Sequence, residues 1–210
     1  VSNGSLTMTI RHLFYGGANL TVNGGLLSVA GGTVNFGAGD LTLTNAGRVT
    51  LSATNVIVGQ HLVLASGGAR FRVYAAATNG VSSNEWGTLV TVPGDIRIGT
   101  GSWLYPHSHG TNGGSALFRA KNVSVETNGG INAVGLGFAG GRASDVLGKG
   151  PGGGKWNSNG AGGGGAHGGQ GGTCRYGGLH NATTYGSSNA PVHAGSGGGS
   201  GYDTGVGGTG

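Results

Sequence analysis

The stretch DLTLTNAGRVTLSATNVIVGQHLVLASGG, residues 40–68, packs several short apolar runs into a few turns of chain and shows no helical period. Leu41 and Leu43 alternate with threonines, and Val49 and Leu51 alternate with polar neighbours, so each pair faces one side of a strand. The runs are cut by Asn, Ala and Gly, which form turns. Working outward, ANLTVNG, GLLSVAG and GTVNFGAG precede this stretch and ARFRVYAAATNG follows it, with Leu20/Val22 and Leu27/Val29 repeating the alternation. The strands recur every seven to nine residues or so, and three of them make a period of roughly 20 to 25, the mark of a repeat architecture.

The expected fold class is all-β: a right-handed parallel β-helix with three short strands per coil and coils stacked about 4.8 Å apart. A β-sandwich is the competing arrangement, since it also uses regular short strands. Very short strands and a lack of acidic residues to protect strand edges favour the solenoid. Asn23, Asn45, Asn79 and Asn128 are expected at tight left-handed corners between its faces. The pattern continues through GDIRIGTGSWLYP and NVSVETNGGINAVGLGFAGG, where Ile96/Ile98 and Val123/Val125 alternate. Coils are therefore expected over residues 1–141 and a glycine-rich lobe over 142–210, anchored by isolated residues such as Trp156, Tyr176, Tyr185, Val192 and Tyr202.

Glycine supplies 53 of 210 residues, yet four prolines and no sustained G-X-Y run exclude collagen. Within GAGGGGAHGGQGGT, residues 160–173, sorting by threes puts Gly162, Gly165, Gly168 and Gly171 in one bare row. Gly160, Gly163, Ala166, Gly169 and Gly172 form a second row, and the polar side chains fall in the third. Three residues per turn is the polyproline II period, so the bare row is expected to pack backbone against backbone. The chain opens on Val1 and stops in GVGGTG, and reads as an excerpt of a longer polypeptide.

The blocks GDIRIGTGSWLYPHSHG, NVSVETNGGINAVGLGFAGG, GKGPGGG, GAGGGGAHGGQGG and YGSSNAPVHAGSGGGSG resemble, in order as well as composition, large secreted or cell-surface glycine-rich β-helix proteins of bacterial and plant type. The resemblance covers residues 90–210 and implies extracellular scaffolding or adhesion. Polyglycine II bundles, as in some phage adhesins and a disulfide-bridged glycine-rich antifreeze protein, are a looser likeness; a single cysteine departs from the latter. The function expected is that of a non-enzymatic filament or surface-matrix subunit, with a carbohydrate-binding adhesin and a polysaccharide lyase or hydrolase as alternatives. The expected partners are copies of the chain, the rest of a longer chain, or surface polysaccharide.

The net charge of +5 comes with only 8% charged residues, and the basic ones are scattered without a run and without alternating with aromatics. Nucleic-acid binding is not expected, and no apolar stretch is long enough to span a membrane. Cys174, the sole cysteine, cannot form an internal disulfide and is expected to pack against glycine backbone, with an intermolecular bridge as the alternative. Sugar-cleaving β-helices need clustered carboxylates. The six here, Asp40, Glu85, Asp95, Glu126, Asp145 and Asp203, are dispersed, and Asp95 with Glu126 is the nearest to a pair. ASDVLGKG, residues 143–150, lacks the first glycine and the final Ser or Thr of a phosphate loop. No catalytic residue and no cofactor are expected.

Histidines supply the metal candidates: His107 and His109, two apart in PHSHG, and His167, His180 and His193, each thirteen from the next. Neither set has a cysteine or carboxylate to complete it, so hydrogen bonding or ring stacking is the default role. Trp103, Tyr105 and Trp156 are candidates for stacking on sugar rings, with filling the space between solenoid and lobe as the alternative. Asn3, Asn19, Asn122 and Asn181 stand in N-glycosylation sequons.

Overall fold

A computed structural model describes residues 2–77, 86–142, 146–156, 162–173, 183–187, 189, 193–201 and 205–210. Among these residues the chain is all-β. The strands are β1 (Ser5–Thr9), β2 (His12–Phe14), β3 (Leu20–Asn23), β4 (Leu26–Asn35), β5 (Leu41–Thr44) and β6 (Arg48–Ile57). They continue as β7 (Leu62–Leu64), β8 (Arg70–Ala75), β9 (Trp86–Ile98), β10 (Trp103–His107), β11 (Ser115–Val125) and β12 (Gly130–Ile131).

The strand ladders are parallel, which a sandwich of hairpins would not be, and the sheet they form does not close. Leu20 pairs with Leu41 and Leu41 with Leu62, a step of 21 residues. Leu27 pairs with Val49 and Val49 with Phe71, a step of 22. A longer coil then carries Phe71 to Leu104 and Leu62 to Ile96. Three columns result. One runs β1–β4–β6–β8–β10–β12, and a second runs from β2 through the later parts of β4 and β6 to the start of β9. The third runs β3–β5–β7 to the end of β9, where β11 joins it.

Alternation decides the core. Val22, Leu43, Leu64 and Ile98 stand in register and are buried; so do Leu27, Val49, Phe71 and Leu104, and likewise Val34, Val56 and Val90. Each buried leucine or valine contributes about 1.5–3 kcal/mol relative to exposure. A one-residue slip of register would turn a whole ladder outward. At the far end, Glu126 N–H donates to Ile98 O, as Gly99 N–H does to Leu64 O. This sets Val125 over Ile98 and Val123 over Ile96, while Ile131 pairs with Leu104. These three continue the core ladders, yet they are 49%, 53% and 53% exposed.

The corners are stitched by side chains. Asn45 lies in the left-handed region, φ 49°, and its amide donates to Asn23 Oδ1 one coil below, at 2.8 Å; Asn128 is also left-handed, at φ 58°. The expectation for Asn23 is corrected: it ends β3 in extended conformation, and Gly24, which needs no Cβ clearance, takes φ 63°. Asn3 is a further left-handed corner. Asn79 lies outside the described residues.

The chain divides into two compact units. The first is Val1–Ala76, Trp86–His107 and Ala116–Asn132; the second is Ala77–Glu85, Ser108–Ser115 and Ala133–Gly210. Residues 133–141 belong to the second unit, where backbone bonds tie them to the C-terminal glycines. Gly137 N–H donates to Gly210 O, Phe138 N–H to Gly195 O and Gly141 N–H to Gly198 O.

Within the second unit the hydrogen bonds follow a period of three. Gly197 donates to Lys149 O, Gly198 to Gly208 O, Gly199 to Gly163 O, and Ser200 returns to the first neighbour at Val146 O. Successive residues therefore address three different neighbouring segments. A Cβ on Gly162 would drive into Gly199 O, on Gly165 into Ser196 O, and on Gly171 into Gly164 O. Gly168 departs from this row: it is exposed in a bend, and a Cβ there would meet nothing within 4 Å. In the second row Gly163 and Ala166 are buried, whereas Gly169 and Gly172 are exposed.

Leu43→Ala should lower unfolding free energy by about 2–5 kcal/mol in urea titration, whereas outward-facing Thr42→Ala should stay within about 0.5 kcal/mol. Gly165→Val should raise protease sensitivity of the glycine-rich unit by overpacking, while exposed Gln170→Val leaves it unchanged. Equal digestion of the two variants would contradict the close packing.

Candidate functional site

Register brings together side chains that are far apart in sequence. On the outer face of the first column, Arg48 pairs with Arg70 and Arg70 with Trp103. Beside them Arg72 pairs with Tyr105, and Tyr74 with His107. The intervening Val49, Phe71, Val73 and Leu104 are buried, so these residues face outward by alternation. The Arg72 guanidinium lies over the Tyr105 ring, 5.1 Å from its centroid. Tyr74 and His107 stack at 4.1 Å with planes 19° apart. Trp103 lies against Gly130, where a Cβ would come within 2.9 Å of the indole. The basic residues are scattered along the chain, but three arginines and three large aromatics share one face.

His107 occupies the end of β10, and its Nε2 is buried without a hydrogen-bond partner among the described residues. Burial, and secondly the Arg72 charge, push its pKa below the usual histidine value. His109 belongs to the other compact unit, in a turn where its N–H donates to Gly114 O and its carbonyl accepts from Gly113 N–H. In that second unit His167 and His193 both meet Tyr185, edge-on at 4.8 Å and 6.1 Å. Tyr185 donates to Ala194 O and accepts from Ser196 Oγ at 2.8 Å, and Ser196 Oγ accepts from Gly152 N–H at 3.0 Å. Two of the three histidines, 26 residues apart, thus meet one tyrosine. His180 lies outside the described residues, and no group of three His, Cys, Asp or Glu able to hold a metal occurs among those described.

A second cluster follows one corner of the coils. Asn19 Oδ1 accepts from Asp40 N–H at 2.9 Å, Asp40 Oδ1 from His61 N–H at 3.0 Å, and His61 Nδ1 from Asp95 N–H at 2.9 Å. Each side chain caps the backbone of the coil above. Because Nδ1 of His61 accepts, its proton sits on Nε2, and the 3.6 Å approach of Asp95 Oδ2 to Nδ1 is no ion pair. Arg97 donates to Asp95 Oδ2 at 2.9 Å and Asn122 to Oδ1 at 2.8 Å, which together hold this carboxyl below its usual range. Glu126 Oε2 instead accepts from Thr100 N–H and Oγ1, both at 3.0 Å. Asp95 precedes the Ile96–Ile98 segment and Glu126 follows it, so their backbones stand about 13 Å apart at a strand rise of 3.3 Å per residue. The two carboxylates serve separate corners. A lowered carboxyl is also unsuited to the proton donor that glycoside cleavage requires.

Asn3, Asn19 and Asn122 are exposed, with the last two engaged in the corner bonds just described; Asn181 and Cys174 lie outside the described residues. Trp156 is 40% exposed and belongs to the second unit. The cross-coil pairing of Arg70, Arg72 and Tyr74 with β10 escaped sequence reading, although RFRVY carries its outward alternation openly. No family model matches the chain, and no curated protein or solved structure matches it either.

In a histidine-resolved NMR titration, His107 should protonate below the usual value near pH 6.5. Arg72→Gln should raise it part of the way, leaving the larger burial effect in place. A folded-state pKa below the unfolded one means the unfolded chain takes up its proton first. Stability should therefore fall as pH drops through the unfolded value and level off below the folded one.

Proposed function

We propose that this chain is a non-enzymatic structural subunit of an extracellular filament or surface matrix, built as a right-handed parallel β-helix with a polyglycine II-like lobe. Right-handed winding is the general rule for parallel strands joined by crossovers. Three residues per repeat of the hydrogen-bond pattern supports the lobe assignment. The resemblance to secreted and cell-surface glycine-rich proteins supports the location.

One observation carries the assembly reading. Core ladders of the solenoid run out at Val123, Val125 and Ile131, apolar residues about half exposed at positions that are buried in the coils beneath. β11 and β12 each pair on one side, with β9 and β10. At the opposite end β1, β2 and β3 also pair on one side, and Leu6, Met8, Leu13 and Leu20 are incompletely covered at ladder positions. Among the described residues, one end presents what the other accepts: the same three-column register, strands paired on one side, and unfinished apolar ladders. Stacking of a second copy head to tail is a heterologous contact, which propagates as a filament when it does not close.

A carbohydrate-binding adhesin is the second reading, favoured by the arginines and aromatics on the outer face of β8 and β10. The lyase or hydrolase reading has only the separated Asp95 and Glu126 to draw on.

Sedimentation should show concentration-dependent association of the purified chain. Val123→Lys with Val125→Lys should suppress it by placing charge at the open ladder end, with the β-sheet circular dichroism spectrum retained. A chain that remains monomeric at high concentration with intact β-structure would remove the assembly reading.

A further inference from the structure

We propose that the outer face formed by Arg48 of β6, Arg70, Arg72 and Tyr74 of β8, and Trp103 and Tyr105 of β10 binds a uronate-bearing polysaccharide. The proposal rests on the adhesin reading and is independent of assembly, since this face lies on the flank of the coils and the open ladder ends lie along their axis.

Arg48 and Arg70 are exposed and stand in register on neighbouring strands, spaced about 4.8 Å in a sheet. Like charges placed directly opposite destabilise a sheet. Among the described residues no carboxylate offsets them: Asp95 is paired with Arg97, and Asp40, Asp95 and Glu126 are committed to corner bonds. An anion seated between the guanidinium groups would convert this repulsion into paired, fork-shaped hydrogen bonds. Arg72 extends the cationic patch along β8, two residues from Arg70, and is held in place over Tyr105.

The ligand class follows from what surrounds the arginines. Tyr74 pairs in register with Ser52, a residue too small to cover the side of its ring turned away from His107, which leaves an apolar surface for a pyranose. Trp103 adds a partly buried indole beside Arg70. Below the arginines the same outward rows carry Thr50, Ser52 and Ser28, hydroxyls suited to sugar hydroxyl groups. Charge is thus confined to a small patch that passes into neutral hydroxyls. That suits a chain of sugars bearing intermittent carboxylates. A single-stranded nucleic acid would need cations along its whole track and unoccupied ring faces for each base, whereas Tyr105 is covered by Arg72 and one face of Tyr74 by His107.

The test is calorimetric titration of the whole chain, below its association concentration, with oligogalacturonate, maltooligosaccharide and oligo(dT). Oligogalacturonate should bind best and weaken with salt. Arg70→Gln with Arg72→Gln should reduce its affinity at least tenfold, while Lys121→Gln on β11 leaves it unchanged. Should the double variant fail the circular dichroism check, Arg48→Gln at the exposed margin carries the test, with a several-fold loss expected. Absence of oligogalacturonate binding, equal binding by the arginine variants, or tighter binding of oligo(dT) would overturn the proposal. Binding of maltooligosaccharide alone would leave an adhesin standing but remove the acidic ligand.

Discussion

Parallel pairing at a step of 21 or 22 residues is the constraint on which the first unit depends. Backbone hydrogen bonds between coils need only matched strand lengths, but burial needs every coil in the same phase. Leu20, Leu41, Leu62 and Ile96 form a ladder because the step preserves alternation as well as position. Where the chain takes a longer coil before β9, the ladder resumes in phase at Ile96 and Ile98, and the core continues without interruption. A wrong phase would expose leucines and bury arginines together, so the register carries a large penalty for error.

The same register acts on polar residues. It stacks Asn19, Asp40, His61 and Asp95 at one corner, where each of the first three caps the backbone N–H of the next residue in that series. It also gathers Arg48, Arg70 and Arg72 beside Trp103 and Tyr105 on the outside. The first arrangement satisfies backbone groups and ties down a carboxylate. In the second, none of the described carboxylates pairs with an arginine of the face, which is the basis for proposing a ligand there.

The glycine-rich unit solves burial by other means. With few side chains to bury, its segments approach until carbonyl oxygens meet Cα–H groups, and consecutive N–H groups address different neighbours. Anchors are sparse. Tyr185 joins Ala194, Ser196 and the edges of two histidines, and Phe138 is buried close to Gly113 and Gly150.

Sequence alone determined the strand class, the coil period and most of the core, because alternation and turn residues are local properties: Leu41/Leu43 and Val49/Leu51 show their common face within a few residues. Asn45 and Asn128 were legible as corners for the same reason. Asn23 misled, since the adjacent Gly24 relieves it of the left-handed conformation at less steric cost. The threefold glycine pattern was legible around residue 165, but its central segment is 197–200, identified only by bonds to partners distant in sequence. The arginine and aromatic face was decided by tertiary structure alone. Arg48, Arg70 and Trp103 are separated by coil-length intervals, and no local pattern states which residues of successive coils will meet. That is set by the sum of loop lengths around each turn, a quantity spread over the whole coil.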